Sequence, residues 1–484
     1  MNLISTGIVE LDEILEGGFS PGALVVIAGA PGTGKTILAQ QFSFACATRE
    51  HKAVYYSTLS EPHAKLIRHL ESFEFFDQSA LGGRVEFVHV DVASSHGNGR
   101  LEEAFGEIVR NCFAVQPTAV VIDSAKALHD SVGESSLREK IYELASRVAH
   151  TNAVLMFVGE YTEEELGTAP EFAVADTILY LANSPKGARD QRSLRVVKNR
   201  GSGYISGRHV FRIGVRGIEV FPRFESVAPV QREFAPGRVT SGSPVLDAMI
   251  GGGFPVGGSS LLGGPSGAGK TVLGLQFVVS GVDAGQRCLY VTFQESDRQL
   301  IAKAKAFGWD LEPMIEQGRL RVLFMEPVAL GLDVVGAQLR EILDREDFSK
   351  VVLDSLAEVE GAAEGTDRFP DFLWSLVNTF RGRGITSLFT NETRAFFGSS
   401  FELAGGLSYI FDNVILLRYV ELDSEIRRAM AIVKMRDSEH VKSLVEFEVG
   451  GKGLVIRGKF TGLRGVLSGS PVMAEEKFRE FFGS

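Results

Sequence analysis

The chain has 484 residues, with 50 Lys and Arg against 61 Asp and Glu and a formal charge of −11. At about 150 residues per domain this length provides two large domains or three small ones, and 44% apolar with 23% charged residues excludes a disordered, collagenous or tail-like chain. The acidic balance argues against bulk nucleic-acid binding, and the longest apolar stretches fall well short of the roughly 20 residues needed to span a membrane. Three cysteines without a CxxC pair argue against a disulfide framework or a zinc knot. The first residues, Met1 to Gly7, carry no basic segment and no apolar stretch ahead of Glu10, Asp12 and Glu13, which predicts a cytoplasmic protein.

In chain order, the apolar run Leu24 to Ala28 predicts a buried strand. It leads into Gly29-Ala30-Pro31-Gly32-Thr33-Gly34-Lys35-Thr36, the pattern G-x-x-x-x-G-K-[ST], and then a helical stretch carrying Ile37, Leu38 and Phe42. Glycines are required there because the backbone must close around a β-phosphate with its N–H groups inward, and a Cβ would clash or forbid the dihedrals. Lys35 would bridge the β- and γ-phosphate oxygens, and the Thr36 hydroxyl would ligate Mg²⁺. The runs Ala53 to Tyr56, Val85 to Val90, Ala119 to Ile122 and Val154 to Val158 follow, separated by helical patterns, as βαβ units around a mostly parallel sheet require. Asp123, closing the run Ala119 to Ile122, is the acid that such a site needs to hold the metal's water shell. Ser193 to Lys198 and His209 to Val215 are spaced more closely and predict an antiparallel edge.

The chain then repeats itself. At an offset of 235 residues Gly7, Leu11, Asp12, Gly17, Gly18 and Phe19 fall on Gly242, Leu246, Asp247, Gly252, Gly253 and Phe254. Gly264-Pro265-Ser266-Gly267-Ala268-Gly269-Lys270-Thr271 repeats the phosphate motif between the run Ser259 to Leu262 and a helix with Val272, Leu273, Leu275 and Phe277. Asp354 repeats the strand-end acid after Val351 to Leu353. Pro222, Pro229 and Pro236 interrupt any periodic pattern at the junction, giving domains 1–236 and 237–470 and a short tail, 471–484.

Together these residues resemble the RecA-superfamily ATPases, and the duplication resembles the KaiC-like family, two-ring bacterial clock ATPases and autokinases. The more specific parts are the S/T-G-x-x-x-L-D openings at Thr6 to Asp12 and Ser241 to Asp247, the segment Val291 to Ser296, and Val414 to Glu421 followed by Val433 to Arg436. The resemblance implies two tandem RecA-like P-loop NTPase domains, ATP with Mg²⁺ as ligand, and a homo-hexamer with nucleotide between neighbouring subunits. It also gives Lys198 with Arg200, and Lys434 with Arg436, the role of reaching a neighbour's γ-phosphate. A solvated basic strand end is the competing reading where Lys186, Arg189, Arg192 and Arg195 stand nearby.

Two departures from the family carry expectations. Family members place two adjacent glutamates after the second strand, one of which polarises the attacking water; here Leu59-Ser60-Glu61-Pro62 and Phe293-Gln294-Glu295-Ser296 both lack the first. Losing a positioned base costs a factor of about 10² to 10⁴ and leaves binding nearly untouched. The expectation is tight binding with slow turnover, Glu61 and Glu295 as remaining bases, and Gln294 able to orient a water but not to take its proton. The family's Ser-Thr phosphorylation pair reads Ser408-Tyr409 here, leaving Ser408 as the candidate acceptor. The tail clusters Phe478, Phe481 and Phe482 on one side of a helical pattern for docking on the protein itself or on a regulatory partner. Three functions follow: a slow regulatory ring ATPase, a RecA- or DnaB-like DNA-handling ATPase using Arg189, Arg192 and Arg195, and a scaffold gated by nucleotide without meaningful turnover.

Overall fold

Leu24–Gly29 forms the first strand, β1, with every residue buried. Val25 and Ile27 join one apolar cluster and Leu24, Val26 and Ala28 another, so successive side chains feed cores on opposite faces of one sheet. The computed structural model describes residues 2–48, 50–58, 63–90, 98–129, 134–186, 189–227, 229–326, 331–363, 367–393, 404–422, 425–436, 438–460, 463–464 and 472–473. Glu61 and the phenylalanines of the tail lie outside them.

The chain divides into two units, Met1–Val227 and Ala228–Ser484. In the first, β1 is followed by β2 (Ala53–Ser57), β3 (Val85–His89), β4 (Ala119–Asp123), β5 (Val154–Glu160), β6 (Thr177–Lys186), β7 (Arg189–Asn199), β8 (Arg208–Gly214) and β9 (Gly217–Phe221). They form one nine-stranded sheet in the order β3-β2-β4-β5-β1-β6-β7-β8-β9. Pairing is parallel from β3 to β6 and antiparallel from β6 to β9. The second unit opens with a ribbon of β10 (Arg238–Val239) and β11 (Phe254–Pro255). Then come β12 (Ser259–Gly264), β13 (Cys288–Thr292), β14 (Leu320–Phe324), β15 (Lys350–Asp354), β16 (Thr386–Glu392), β17 (Asn413–Leu422), β18 (Glu425–Met435), β19 (Val445–Gly450) and β20 (Gly453–Lys459). Its sheet order, β14-β13-β15-β16-β12-β17-β18-β19-β20, copies the first. Two tandem RecA-like α/β domains with mostly parallel sheets and an antiparallel edge are thus present, as the alternating runs and the repeat imply. Among the described residues no helix is long and apolar enough to cross a membrane.

The opening motifs have a structural task. Asp12 accepts from the Thr6 N–H at 2.7 Å and Asp247 from the Ser241 N–H at 2.7 Å, closing the turn before each first helix. Gln41 and Gln276, on the helices that follow the glycine loops, accept from the Ile218 and Leu454 N–H groups at 2.8 and 3.0 Å. Each helix is thereby tied to the last strand of its sheet. Residues 229–236 pack on the second unit: the Arg232 N–H donates to the Gly382 carbonyl at 2.6 Å, and a Cβ at Gly257 would come within 2.8 Å of the Phe234 ring.

One buried cation distinguishes the second unit. Lys350, at the start of β15, is 0% exposed, and its Nζ donates to the Thr240 and Phe277 carbonyls at 2.8 and 3.0 Å and to Ser280 Oγ at 3.0 Å. Burial holds its pKa down at about 8. The unfolded chain, with an ordinary lysine, binds more protons between pH 8 and 10.5, so stability rises with pH across that window and is lost as pH falls through 8. The second unit is expected to gain up to about 3 kcal/mol over this range, and Lys350→Met to flatten the slope. Urea midpoints at pH 8 and pH 10 check this; equal slopes in the two proteins would contradict it.

Candidate functional site

Each expected phosphate loop runs from the carboxyl end of the central strand into a helix, Lys35–Cys46 or Lys270–Asp283. The two loops have the same backbone. Gly32 and Gly267 sit at φ +73° and +74°, and Gly34 and Gly269, the helix N-caps, at +102° and +103°. These left-handed values favour glycine, and a Cβ at Gly34 would also lie 2.8 Å from Ile213 Cδ1. Gly34→Ala is therefore expected to cost about 1–3 kcal/mol of stability, read as a fall in the denaturation midpoint. Neither N-cap carries a side-chain hydrogen bond, so the first N–H groups of each helix are presented, with its positive end, to an anion.

The lysines lie inside these loops. Lys35 Nζ donates to the Ala30 carbonyl at 2.7 Å, and Lys270 Nζ to the Gly264 and Pro265 carbonyls at 2.9 and 2.8 Å. Burial lowers both pKa values, while carboxylates pull them back: Glu160 and Asp123 for Lys35, and Glu392, Asp354 and Glu358 for Lys270. Thr36 and Thr271 donate to Asp123 and Asp354, each at 2.8 Å. Tyr55 and Tyr290, on β2 and β13, donate to the same carboxylates at 2.5 and 2.8 Å. Burial pushes Asp123 above the usual carboxylate range despite the opposing Tyr55 and Thr36 bonds. One hydroxyl and one carboxylate per site suit Mg²⁺, which keeps waters and takes its other ligands from phosphates. Among the described residues no group of three or more His, Cys, Asp or Glu forms a denser metal cluster.

These residues line two cavities. The first, about 630 Å³, is lined by Gly32, Lys35, Thr36, Asp123, Glu160 and Arg192 among others. The second, about 340 Å³, includes Lys270, Thr271, Gln294, Glu295, Asp354 and Arg428. Gln294 and Glu295 thus reach the second cavity. Glu295 is ion-paired with Lys303 through one oxygen, and its other oxygen is buried without a hydrogen-bond partner.

The Lys-x-Arg pairs stand at the other end of each sheet. On β6, Thr177 is level with Val25 and Leu181 with Gly29, and Lys198 and Asn199 pair with Ile178 and Thr177. At about 3.3 Å per residue this sets Lys198 and Arg200 roughly 13 Å down the sheet from their own cradle. The second unit repeats this placement through the pairings of Ser260 with Asn413 and of Val414 with Lys434. A one-residue bulge, at Val197 and at Val433, precedes each pair and re-aims the strand end. Exposed Arg200 and Arg436 lie 3.7 and 3.6 Å from Asp176 and Asp412. Lys434 Nζ donates to the carbonyls of Phe411, at 2.6 Å, and of half-buried Ser408, at 3.3 Å.

Sequence reasoning missed Tyr55 and Tyr290, Glu160 and Glu392, Arg428, Lys303 and Glu358. The first four recur at matching places in the two halves, which is a signal that the repeat carried. Arg428 has a counterpart in Arg192, which lines the first cavity and which the sequence reading gave to a solvated basic strand end or to DNA handling.

The same duplication appears in comparisons with known proteins. The model of the KaiC ATPase family matches residues 4–225 and again 239–459. The chain is 31% identical over 477 residues to the circadian clock oscillator protein KaiC of Parathermosynechococcus lividus, covering 96% of this chain and 87% of that one. It is 30% identical over 484 residues to the circadian clock protein KaiC3 of a Synechocystis species, covering 97% and 94%. To the KaiC of Thermostichus vulcanus it is 31% identical over 490 residues, covering 98% and 93%. With both halves matched by one family model and relatives aligned over 96% or more of this chain, the chain belongs to the KaiC ATPase family.

Proposed function

We propose that each half binds MgATP and that the chain hydrolyses it slowly as a cytoplasmic, KaiC-like regulatory ring of six subunits. The observation that carries this reading is the matched geometry of the two glycine loops, each with its threonine 2.8 Å from a strand-end aspartate. Thr36 with Asp123, and Thr271 with Asp354, would hold Mg²⁺, which neutralises charge developing on the transferred phosphoryl group. Lys35 and Lys270 would bridge the β- and γ-phosphates, and the loop N–H groups would hold the β-phosphate. Glu61 and Glu295 are the candidate bases. The sheet register keeps Lys198, Arg200, Lys434 and Arg436 away from their own cradles, which supports their serving a nucleotide on a neighbouring chain.

Ser408 is proposed as a phosphate acceptor in the second half, beside Lys434 at the edge assigned to the neighbour. Intact-mass measurement after incubation with MgATP checks it; an unmodified Ser408 removes the kinase activity from the proposal. The DNA-handling alternative is disfavoured because, of the arginines it would use, Arg195 is held by Glu163 at 2.9 Å and Arg192 lines the first cavity. ADP release with and without single-stranded DNA separates the readings. Slow release indifferent to DNA is expected, stimulation by DNA would move the assignment to DNA handling, and no release would leave a nucleotide-gated scaffold.

A further inference from the structure

The second half has a carboxylate that the first half lacks. Glu358 lies on the helix Leu356–Ala362, four residues past the strand-end aspartate Asp354; four residues past Asp123 stands Ala127. Glu358 Oε1 accepts from the Gln294 amide nitrogen, and its Oε2 accepts from the buried Ser355 hydroxyl at 2.6 Å. Its charge is felt by Lys270 at the cavity wall. Gln294 lines that cavity together with Thr271, Asp354 and Glu392.

The chemistry of the pair decides which way the amide faces. An ionised carboxylate only accepts, so it commits the Gln294 NH₂ group and leaves the carbonyl oxygen Oε1 as the end available to the cavity. A carbonyl oxygen accepts a hydrogen bond from water and so sets the direction of the water's lone pair. The neighbouring Glu295 is already engaged by Lys303. We propose that Glu358 is a positioning residue for hydrolysis in the second half, holding the Gln294 amide so that its oxygen orients the attacking water. This rests on the ATPase reading of the same site. In that step the water oxygen bonds to the γ-phosphorus, and the bond to the β–γ bridging oxygen breaks with its electron pair leaving on ADP. The water proton ends on the released phosphate.

The test uses the full chain carrying Lys35→Ala, so that turnover reports the second half. Glu358→Gln should lower kcat by about 10-fold to 10²-fold, the scale of a small misplacement of a reacting group, with KM and MgATP affinity by calorimetry changed less than about threefold. A Glu358→Gln chain that binds MgATP and turns over at the parent rate overturns the inference and leaves the ATPase reading intact. Parallel loss of affinity and kcat shows a structural role and also overturns it. A Lys35→Ala parent that binds no MgATP removes the ATPase reading of the second half, and the inference with it.

Discussion

Lys35→Ala combined with Lys270→Ala is expected to lower ATP turnover by about 10² to 10³-fold. Each lysine is held inside its loop by the loop's own carbonyls and is nearly buried, at 7% and 8% exposure. In such a desolvated site one preorganised donor to developing charge is worth about 10² to 10³ in rate. Neither glycine loop contains a second lysine, and Lys303 at the second cavity is committed to Glu295, so the loss should extend to both halves. Each single variant should keep the turnover of the other half. Initial rates of ADP release check this, and a double variant retaining a tenth of the parent rate would contradict it.

Lys434→Ala with Arg436→Ala should cost nearly as much in the second half while leaving nucleotide affinity close to the parent value. A cation supplied to the γ-phosphate from another chain is worth about 10³ to 10⁵ in rate. The pair stands where β18 ends, beside the amino-terminal end of β17, and the cradle lies at the carboxyl end of β12, the other neighbour of β17. The deficit should therefore be repaired between chains rather than within one. With the first cradle silenced by Lys35→Ala, mixing Lys270→Ala chains with Lys434→Ala, Arg436→Ala chains should restore turnover that neither has alone. Mixtures no more active than their components would show that these residues do not serve a neighbour's nucleotide.

Most of the fold was legible because its signals are local. The runs Leu24 to Ala28 and Ala119 to Ile122 are short, β-branched and closed by glycine or aspartate, and each is a strand within a residue of its expected limits. The glycine loops were legible for the same reason: spacing alone specifies a backbone that needs left-handed residues. The cavity walls were less legible. Glu358 reaches Gln294 from 64 residues away, and Tyr55 reaches Asp123 from 68. Such encounters depend on strand order, which periodicity does not encode. Glu295 shows the same limit, since its position one residue past Gln294 says nothing of Lys303 on the helix Asp297–Ala306 that pairs with it. The bulges at Val197 and Val433 were equally silent, because a single extra residue leaves the apolar pattern of a strand almost unchanged.

Two equivalent cradles in one chain are each expected to hold a magnesium-bound triphosphate. Calorimetric titration of the full chain with a slowly hydrolysed ATP analogue and Mg²⁺ tests it most directly. Two sites per chain are predicted, falling to one in Lys35→Ala or Lys270→Ala and to none in the double variant. A stoichiometry of one or zero in the parent protein would contradict the account.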